Sequence, residues 1–458
     1  MIASDNTVRG MLGTTEAAAL GAPMMRTVPA PAQAQRPQVT GERGRGARRD
    51  SKLNALPPAI LLGGAINTLS VARDLGRMGV PVYAMGGDES LVKYSRYCTW
   101  IDIAGHQDEE VAWPAFLLGP EAEHLAGAVL LACCDAGIRV IAAHRAALAK
   151  RFKLDISDPG AQIEMLDKLS TYEHAAAAGV DTPKFWAVAT RQRLMAVRDE
   201  LVYPLIVKPR MTHVFEQCFG TKHLTAHGFD DVVAAFDAAH AAGVDVLLVE
   251  HIPGGDENLA SYFTYVDEAG NALVDFTKRV IRRYPAGIGA ACYHVTDWVP
   301  QIIEPSKKLL AQSGLRGLAN IEYKRDDRDG TYKLIECNGR FAGSNCLVTA
   351  AGCNLAALVY NGIIGRPHKT PTQFKMGLRL WDPVRDFFAF RERRNRGELT
   401  TLQWLRSIAF RQMFPVFHWR DFRPGWARVR QMWRNARQAR AGSAATEKSV
   451  EPVPAGRS

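Results

Sequence analysis

The sequence of 458 residues has eight cysteines, and no two of them are spaced as a CxxC pair. This spacing indicates no zinc ribbon, and the length of the chain rules out a small secreted disulfide scaffold. We therefore expect the thiols to be reduced.

Long apolar runs are also missing. The longest candidate, residues 126–143, contains Asp135 and Arg139 and is shorter than the roughly 20 residues that cross a bilayer. Residues 1–25 lack the compact apolar centre of a secretory signal. We expect no transmembrane helix, no export and a cytoplasmic location.

The composition is that of an ordinary globular protein, with 47% apolar, 23% charged and 9% aromatic residues. This rules out a wholly disordered or collagen-like chain. The length predicts two or three packed units.

The net charge of +10 is unevenly distributed. Residues 1–57 carry 8 basic and 4 acidic side chains, and residues 366–458 carry 20 and 7, so residues 58–365 have a net charge of −7. A nucleic-acid groove should make the folded part basic. No specific nucleic-acid partner is therefore expected.

The pattern divides the chain into four parts. Residues 1–57, rich in Ala, Pro, Gly and Arg, predict a disordered leader. The segments AILLGG, NTLSVARDLGRMG and PVYAMGG predict a small parallel α/β domain over 58–155. Strand-like segments with hairpin turns predict an antiparallel sheet backed by helices over 156–365, in which AQIEMLDKLSTYEHAAAAG is one helix. Residues 366–458 predict a basic, Trp- and Arg-rich helical extension with a disordered end.

Two carboxylates fall in a predicted hairpin. Glu322 in LANIEYKR and Glu336 in YKLIECNGR lie on strands joined by the turn DDRDG, so they can be cross-strand neighbours. Asn338 points to the same face as Glu336. Such oxygen ligands suit Mg²⁺. An exposed polar face of the hairpin is the alternative, and it explains the three together less well.

Cationic side chains follow the same segments. Lys208 ends the apolar strand LIVKP, where an ammonium suits a phosphate oxygen. Arg340 follows Asn338 and could clamp a phosphoryl group or a carboxylate. Arg279 and Arg282 could reach the same pocket, or they could protect a sheet edge.

A bend after the strand DVLLVE offers backbone groups to a base. Glu250 ends this strand, and the Pro-Gly segment after it could bind an adenine edge through N–H and C=O groups. Glu257 could accept a hydrogen bond from a ribose hydroxyl.

In this order and spacing, Lys168, Lys208 in VKP, Glu250 in VEHIPGGDE and the GLANIEYKR to LIECNGR pair resemble the ATP-grasp superfamily, most of all its carboxylate-amine ligase branch. The resemblance covers about Pro58 to Gly365. It implies a parallel-sheet domain followed by two α+β subdomains that enclose ATP, with a lid at about 180–250. The loop after Lys208 departs from the family because it has one glycine, Gly220.

The resemblance also implies residue roles. Phosphate contacts would come from Lys168, Lys208 and Lys222. The adenine would lie against Glu250, His251 and Ile252, and the ribose against Glu257. Mg²⁺, or Mn²⁺ in its place, would be held by Glu322, Glu336 and Asn338. The phosphoryl group or the acid would face Arg279, Arg282 and Arg340.

The resemblance implies a mechanism in two steps. A small-molecule carboxylic acid and ATP first form an acyl phosphate, and an amine, or alternatively a thiol, then attacks this acyl phosphate. The candidates for proton removal are His213, His223 and His294. The candidates for substrate contacts are Asp135, Ser344 and Asn345.

A second hypothesis comes from the extension. Trp419, Trp426 and Trp433 recur every seven residues beside many arginines, which is typical of a helix on an anionic membrane surface. The protein would then be a nucleotide-binding scaffold without turnover, peripheral at the inner membrane face through residues 415–440. The alternative is that the tryptophans pack on the body or on a second subunit of a homo-oligomer.

Overall fold

The computed structural model describes residues 56–103, 108–210, 221 and 223–434. The leader up to residue 55, His213, Lys222 and residues 435–458 of the extension lie outside the described residues.

The N-terminal domain is built on a parallel sheet, as predicted. Its four strands have the order β3-β2-β1-β4 and are β1 (Ala59–Leu62), β2 (Val82–Met85), β3 (Thr99–Trp100) and β4 (Val129–Ala132). Its helices are α1 (Ile66–Arg77), α2 (Glu109–Leu118) and α3 (Asp135–Leu148). All four residues of β1 are buried, as expected for a strand covered on both faces.

The segment predicted as a single helix is two helices, α4 (Pro159–Leu166) and α5 (Lys168–Ala177). Asp167 has an extended backbone, and its carboxylate accepts a hydrogen bond from the Leu169 N–H. It caps α5, and this capping ends α4. As a result, Lys168 becomes the first residue of α5.

A four-stranded antiparallel sheet follows, with the order β5-β8-β6-β7. Its strands are β5 (Phe185–Ala187), β6 (Leu205–Pro209), β7 (Leu224–Ala226) and β8 (Val246–Glu250). Helices α6 (Arg191–Ala196) and α7 (Phe229–Ala241) belong to this part. Side chains from α7 and from the sheet share one apolar core.

The largest sheet has seven strands in the order β13-β12-β9-β10-β11-β14-β15. They are β9 (Leu259–Val266), β10 (Phe276–Tyr284), β11 (Ala290–Thr296), β12 (Gly317–Arg325), β13 (Tyr332–Asn338), β14 (Arg379–Trp381) and β15 (Gln412–Met413). Its neighbouring strands are antiparallel, except that β14 and β15 are parallel. The helices after β11 are α8 (Ile303–Ser313), α9 (Asn345–Ala350) and α10 (Leu355–Ile363).

The C-terminal segment contains helices, as predicted, and it also supplies β14 and β15 to this sheet. Between and after them lie α11 (Pro383–Asn395), α12 (Thr401–Ile408) and α13 (423–434). Arg73 on α1 binds this segment, with its guanidinium 2.8 Å from Asp421 and 2.7 Å from the Val416 carbonyl. Among the described residues, no helix has the length and apolar character needed to cross a membrane.

Candidate functional site

A cleft of about 1630 Å³ is lined by residues of the four-stranded antiparallel sheet, the seven-stranded sheet, α3 and α5. It contains most of the residues that the sequence singled out. Its walls carry both charge signs.

The acidic residues of the cleft come from neighbouring strands. In the register of β12 with β13, Glu322 lies opposite Glu336, and Asn320 lies opposite Asn338. The Asn338 side-chain amide donates to Glu336 at 3.0 Å. The predicted hairpin and its paired carboxylates are therefore confirmed.

These oxygens fit a divalent cation. Burial, and then the charge of Glu336, raises the pKa of Glu322. Burial alone would also raise the pKa of Glu336, but the charge of Lys168, the hydrogen bond from Asn338 and the charges of Arg340 and Lys208 bring it below its ordinary value. The side-chain oxygen of Asn320 is buried without a hydrogen-bond partner among the described residues. A cation such as Mg²⁺ would neutralise the repulsion between the carboxylates and use oxygen ligands that it prefers.

Lys168 and Lys208 both line the cleft and interact electrostatically with Glu336. Lys208 Nζ donates to the Tyr172 hydroxyl at 2.7 Å. Burial lowers the pKa of Lys208 to about 8, although Glu336 acts in the opposite direction. Burial likewise lowers the pKa of Lys168.

Lys278 on β10 is a cleft residue that sequence reasoning missed. It is 4% exposed, and its Nζ lies 3.1 Å from Ser261 Oγ and 3.4 Å from His294 Nδ1. Burial lowers its pKa to about 8 against the effect of Glu322. In the sequence, it is one of several cations in DFTKRVIRRYP. Successive residues of a strand face opposite sides of the sheet. The alternation along β10 is therefore a signal that Lys278 and Arg279 face opposite sides.

The predicted base-binding segment lines the same cleft. Glu250, His251 and Ile252 lie on its wall. The Glu250 carboxylate is 2.6 Å from Arg328, and Lys324 Nζ donates to the Ile252 carbonyl at 2.8 Å. These contacts hold the backbone of residues 250–252 in place.

Arg340 forms an ion pair with Asp135, the first residue of α3. Burial would raise the pKa of Asp135, but the charge and hydrogen bond of Arg340, together with the charges of Arg139 and Lys168, lower that pKa below its ordinary value. Both residues line the cleft, as does Ser344. Asn345 does not line it, since its amide is directed to Ser70 Oγ at 3.1 Å.

Arg279 and Arg282 do not line the cleft, so the expectation that they face a phosphoryl group is wrong. Arg279 lies 2.5 Å from Asp297 and, on β10, faces away from Lys278. Arg282 is buried and lies 2.6 Å from Asp386 on α11.

A β-bulge explains the displacement of Arg282. The register of β10 with β11 shifts between Val280 and Arg282 and again between Arg282 and Arg283. A bulge reverses the alternation of side chains, so Arg283 lines the cleft instead. Arg283 Nε is buried without a hydrogen-bond partner among the described residues, and its charge lowers the pKa of Glu322.

Glu257 also lies outside the cleft lining, which corrects its predicted place at a ribose. It is in a short 3₁₀ turn (Asp256–Asn258) that directs Asp256 inward, 2.8 Å from Arg393. The Glu257 carboxylate is 59% exposed and 3.8 Å from the same arginine.

Two of the candidate histidines line the cleft, His223 and His294. Burial, and then Lys278, holds the pKa of His294 well below its ordinary value. The His294 ring is therefore neutral at physiological pH and is a weak base.

Comparison with known proteins connects this geometry with a family. A family model described as "ATP-grasp in the biosynthetic pathway with Ter operon" matches residues 274–382. The D-aspartate ligase of Enterococcus faecium (strain Aus0004) is 27% identical over 325 residues, which cover 66% of this chain and 75% of that protein. Both matches are to ATP-grasp ligases, and the resemblance found in the sequence is confirmed.

Solved structures share the fold of this chain. The biotin carboxylase of Campylobacter jejuni, in a β,γ-ATP complex, matches with a TM-score of 0.56 at 14% identity, over 70% of this chain and 74% of that one. The L-amino acid ligase of Bacillus licheniformis matches with a TM-score of 0.52 at 17% identity, over 68% and 75%.

The chain is an enzyme of the ATP-grasp ligase type, as expected. Its function is ATP-dependent ligation. The hypothesis of a nucleotide-binding scaffold without turnover is therefore set aside. The predicted fold, a parallel-sheet domain followed by a two-subdomain ATP-grasp fold, is confirmed.

Proposed function

We propose that this enzyme joins a carboxylic acid to an amine through an acyl phosphate and releases ADP and phosphate. The observation that carries the proposal is the convergence of Glu322 and Glu336 with Lys168, Lys208 and Lys278 in one cleft. Paired acids beside several lysines suit a metal-bound triphosphate.

The chain's own residues would bind and orient ATP. Glu322, Glu336 and Asn338 would hold Mg²⁺, which neutralises phosphate charge when bound. The lysines supply compact positive charges for phosphate oxygens. The role of Lys222 stays a prediction.

The adenine lies against the segment 250–252 in this proposal. Contacts from Arg328 and Lys324 fix this segment, so its backbone groups are already placed for a planar ligand. Positioning of this kind lowers the entropic cost of binding.

The reaction has two steps. A carboxylate oxygen of the acid attacks the γ-phosphorus, the bond from that phosphorus to the bridging oxygen breaks, and ADP leaves. The amine nitrogen then attacks the acyl carbon, the carbon–oxygen bond to phosphate breaks, and the nitrogen loses a proton. Arg340 and the lysines hold the reacting groups, and catalysis comes from positioning and charge neutralisation.

We further propose that one of the two substrates is an amino acid. The support is that the Enterococcus relative is a D-aspartate ligase and that a structural neighbour is an L-amino acid ligase. The cations Arg283 and Arg340, which line the cleft, suit a substrate carboxylate.

The test is ADP release by the purified full-length chain with ATP and Mg²⁺, offered pooled carboxylic acids and pooled amino acids. We expect ADP release only when an acid is present. The product should have the summed mass of acid and amine less one water. Hydroxylamine in place of the amine should trap the acyl phosphate as a hydroxamate.

Two results would contradict the proposal. Release of AMP and pyrophosphate would indicate an acyl adenylate. ADP release that needs no acid would show that the cleft hydrolyses ATP without ligation.

A further inference from the structure

The C-terminal part of the chain exposes many apolar side chains. Of the twenty-one exposed large hydrophobic side chains among the described residues, twelve lie between Phe387 and Trp433. Trp419 is 93% exposed, Trp426 62% and Trp433 66%. These tryptophans do not pack on the body of the protein, which was one of the two alternatives that the sequence left open.

Two of the tryptophans lie on one side of α13 together with two arginines. Arg423, Trp426, Arg430 and Trp433 are all exposed and are spaced three or four residues apart. This spacing aligns them along one side of a helix. We call these four residues the aromatic–basic face.

The other side of α13 and the segment before it are bound to the body. Asp421 is 2% exposed and lies 2.8 Å from both Arg73 Nε and Ser95 Oγ. On α13, the Gln431 side chain donates to the Glu89 carbonyl at 3.0 Å. The helix is therefore held at a fixed place with the aromatic–basic face outward.

The exposed charges of residues 399–434 are positive. Residues 399–434 contain seven arginines and one acidic residue, Asp421. Because Asp421 is buried and paired with Arg73, it does not offset the charge of the exposed arginines Arg423 and Arg430. The surface is thus complementary to an anionic partner.

We propose that the aromatic–basic face docks this enzyme on an anionic phospholipid bilayer. Tryptophan rings prefer the interface between headgroups and acyl chains. Arginines beside them are attracted to anionic headgroups. A helix with both lies in the plane of the interface, and the contacts of Asp421 and Gln431 present α13 in that orientation. The ligase cleft would then work at a membrane surface.

The charge and the arrangement favour lipid over two other occupants. A second copy of the chain would bring a second set of arginines against the first, and like charges repel. Single-stranded RNA needs a basic groove that follows its backbone, whereas this face is one side of a single helix.

The test is cosedimentation of the full-length chain with vesicles of phosphatidylcholine alone and with vesicles that also contain phosphatidylglycerol. We expect binding to the second kind only, weakened by salt. Changing Arg423→Gln and Arg430→Gln together should lower the partition coefficient by about thirtyfold. Changing Trp426→Ser and Trp433→Ser together should remove most of the remaining binding at high salt.

The matched control is Trp298→Ser with Arg193→Gln, a pair of exposed residues outside the face, which should leave vesicle binding unchanged. ADP release without vesicles should be the same in all of these variants. Vesicle binding therefore tests the docking proposal independently of the proposed function, which ADP release tests.

Several results would overturn the docking proposal. These are no pelleting of the wild-type chain, equal pelleting with both kinds of vesicle, or equal loss in the control variant. Self-association that disappears in the tryptophan variant would identify a second copy as the occupant instead. Displacement of vesicles by an oligouridylate would identify RNA.

Discussion

Lys208 and Lys278 carry charge in surroundings that disfavour it. Burial lowers the pKa of each to about 8, and in each case a carboxylate, Glu336 or Glu322, partly opposes the change. Both ammonium groups therefore lose their protons as the pH rises through about 8. An anionic ligand would favour the protonated form.

We predict that the KM for ATP rises as the pH increases through about 8, because the charge that attracts the phosphates is lost there. Steady-state kinetics over this range measure the effect. Lys208→Gln should raise KM at neutral pH and weaken the pH dependence. Lys307→Gln, which removes a partly exposed ion pair with Asp275, is the control and should leave both unchanged. A KM that stays constant across this range contradicts the placement of the lysines.

Arg282 and Arg283 are neighbours in the sequence, but Arg282 is buried against Asp386 and Arg283 lines the cleft. We predict that Arg283→Ala raises the KM for ATP or for the acid by about tenfold or more, the usual effect of losing a hydrogen bond to a charged group. The unfolding midpoint should change little by comparison. Unchanged kinetics in this variant would remove Arg283 from the site.

At the scale of elements, the β-bulge in β10 turns Arg282 from a site residue into a structural one. Its guanidinium lies 2.6 Å and 3.0 Å from the carboxylate oxygens of Asp386, which also accepts from Trp404 Nε1 at 2.9 Å. The ion pair of Arg282 with Asp386 joins β10 to α11. The hydrogen bond from Trp404 to Asp386 joins α12 to this pair.

We predict that Arg282→Ala lowers the free energy of unfolding by about 3–5 kcal/mol, because it leaves the buried Asp386 carboxylate without its cation. On the same strand, Arg279→Ala should cost less than about 1 kcal/mol, since its pair with Asp297 is exposed. Urea denaturation of both variants measures the difference. Equal costs would contradict the assignment.

The hairpin of β12 and β13 could be predicted from the sequence because its information is local. Alternating apolar residues and the turn DDRDG determine the pairing, and the pairing brings Glu322 opposite Glu336. The bulge in β10 could not be predicted, since the register shift depends on β11 and on the packing of α11. Simple alternation along β10 would place Arg282 on the same face as Lys278, so the sequence alone could not exclude Arg282 from the cleft.

The short strands and the break between two helices also could not be predicted from the sequence. β14 has three residues and β15 has two, too few for a periodic pattern, and they are held by pairing with a sheet built earlier in the chain. The break between α4 and α5 rests on the capping bond of Asp167. An Asp inside an apolar helical pattern is a weak signal for such a break.

At the scale of the whole molecule, the parallel-sheet domain contributes several residues to the lining of the cleft, and one of them is Asp135. Asp135 follows β4, where open parallel sheets place ligand-binding groups, and it binds Arg340, which interacts with Glu336, one of the carboxylates that we assign to the metal. The domain thereby sets the position of an arginine that we assign to the acid substrate.

We predict that Asp135→Asn lowers kcat/KM for the acid by about tenfold while the KM for ATP changes much less, because Arg340 loses the charge that orients it. Asp102→Asn, at an exposed position of the same domain, is the control. An equal effect on both substrates would instead indicate a general loss of structure.

The most direct measurement of the central claim is Mg²⁺-dependent ADP release by Glu336→Gln, compared with the wild-type chain and with Glu304→Gln, whose carboxylate is exposed on α8. We predict that Glu336→Gln abolishes ADP release while its circular dichroism and unfolding midpoint remain those of a folded protein. Glu304→Gln should keep full activity. Undiminished ADP release by folded Glu336→Gln would contradict the claim that Glu322, Glu336 and Asn338 form the metal site of this ligase.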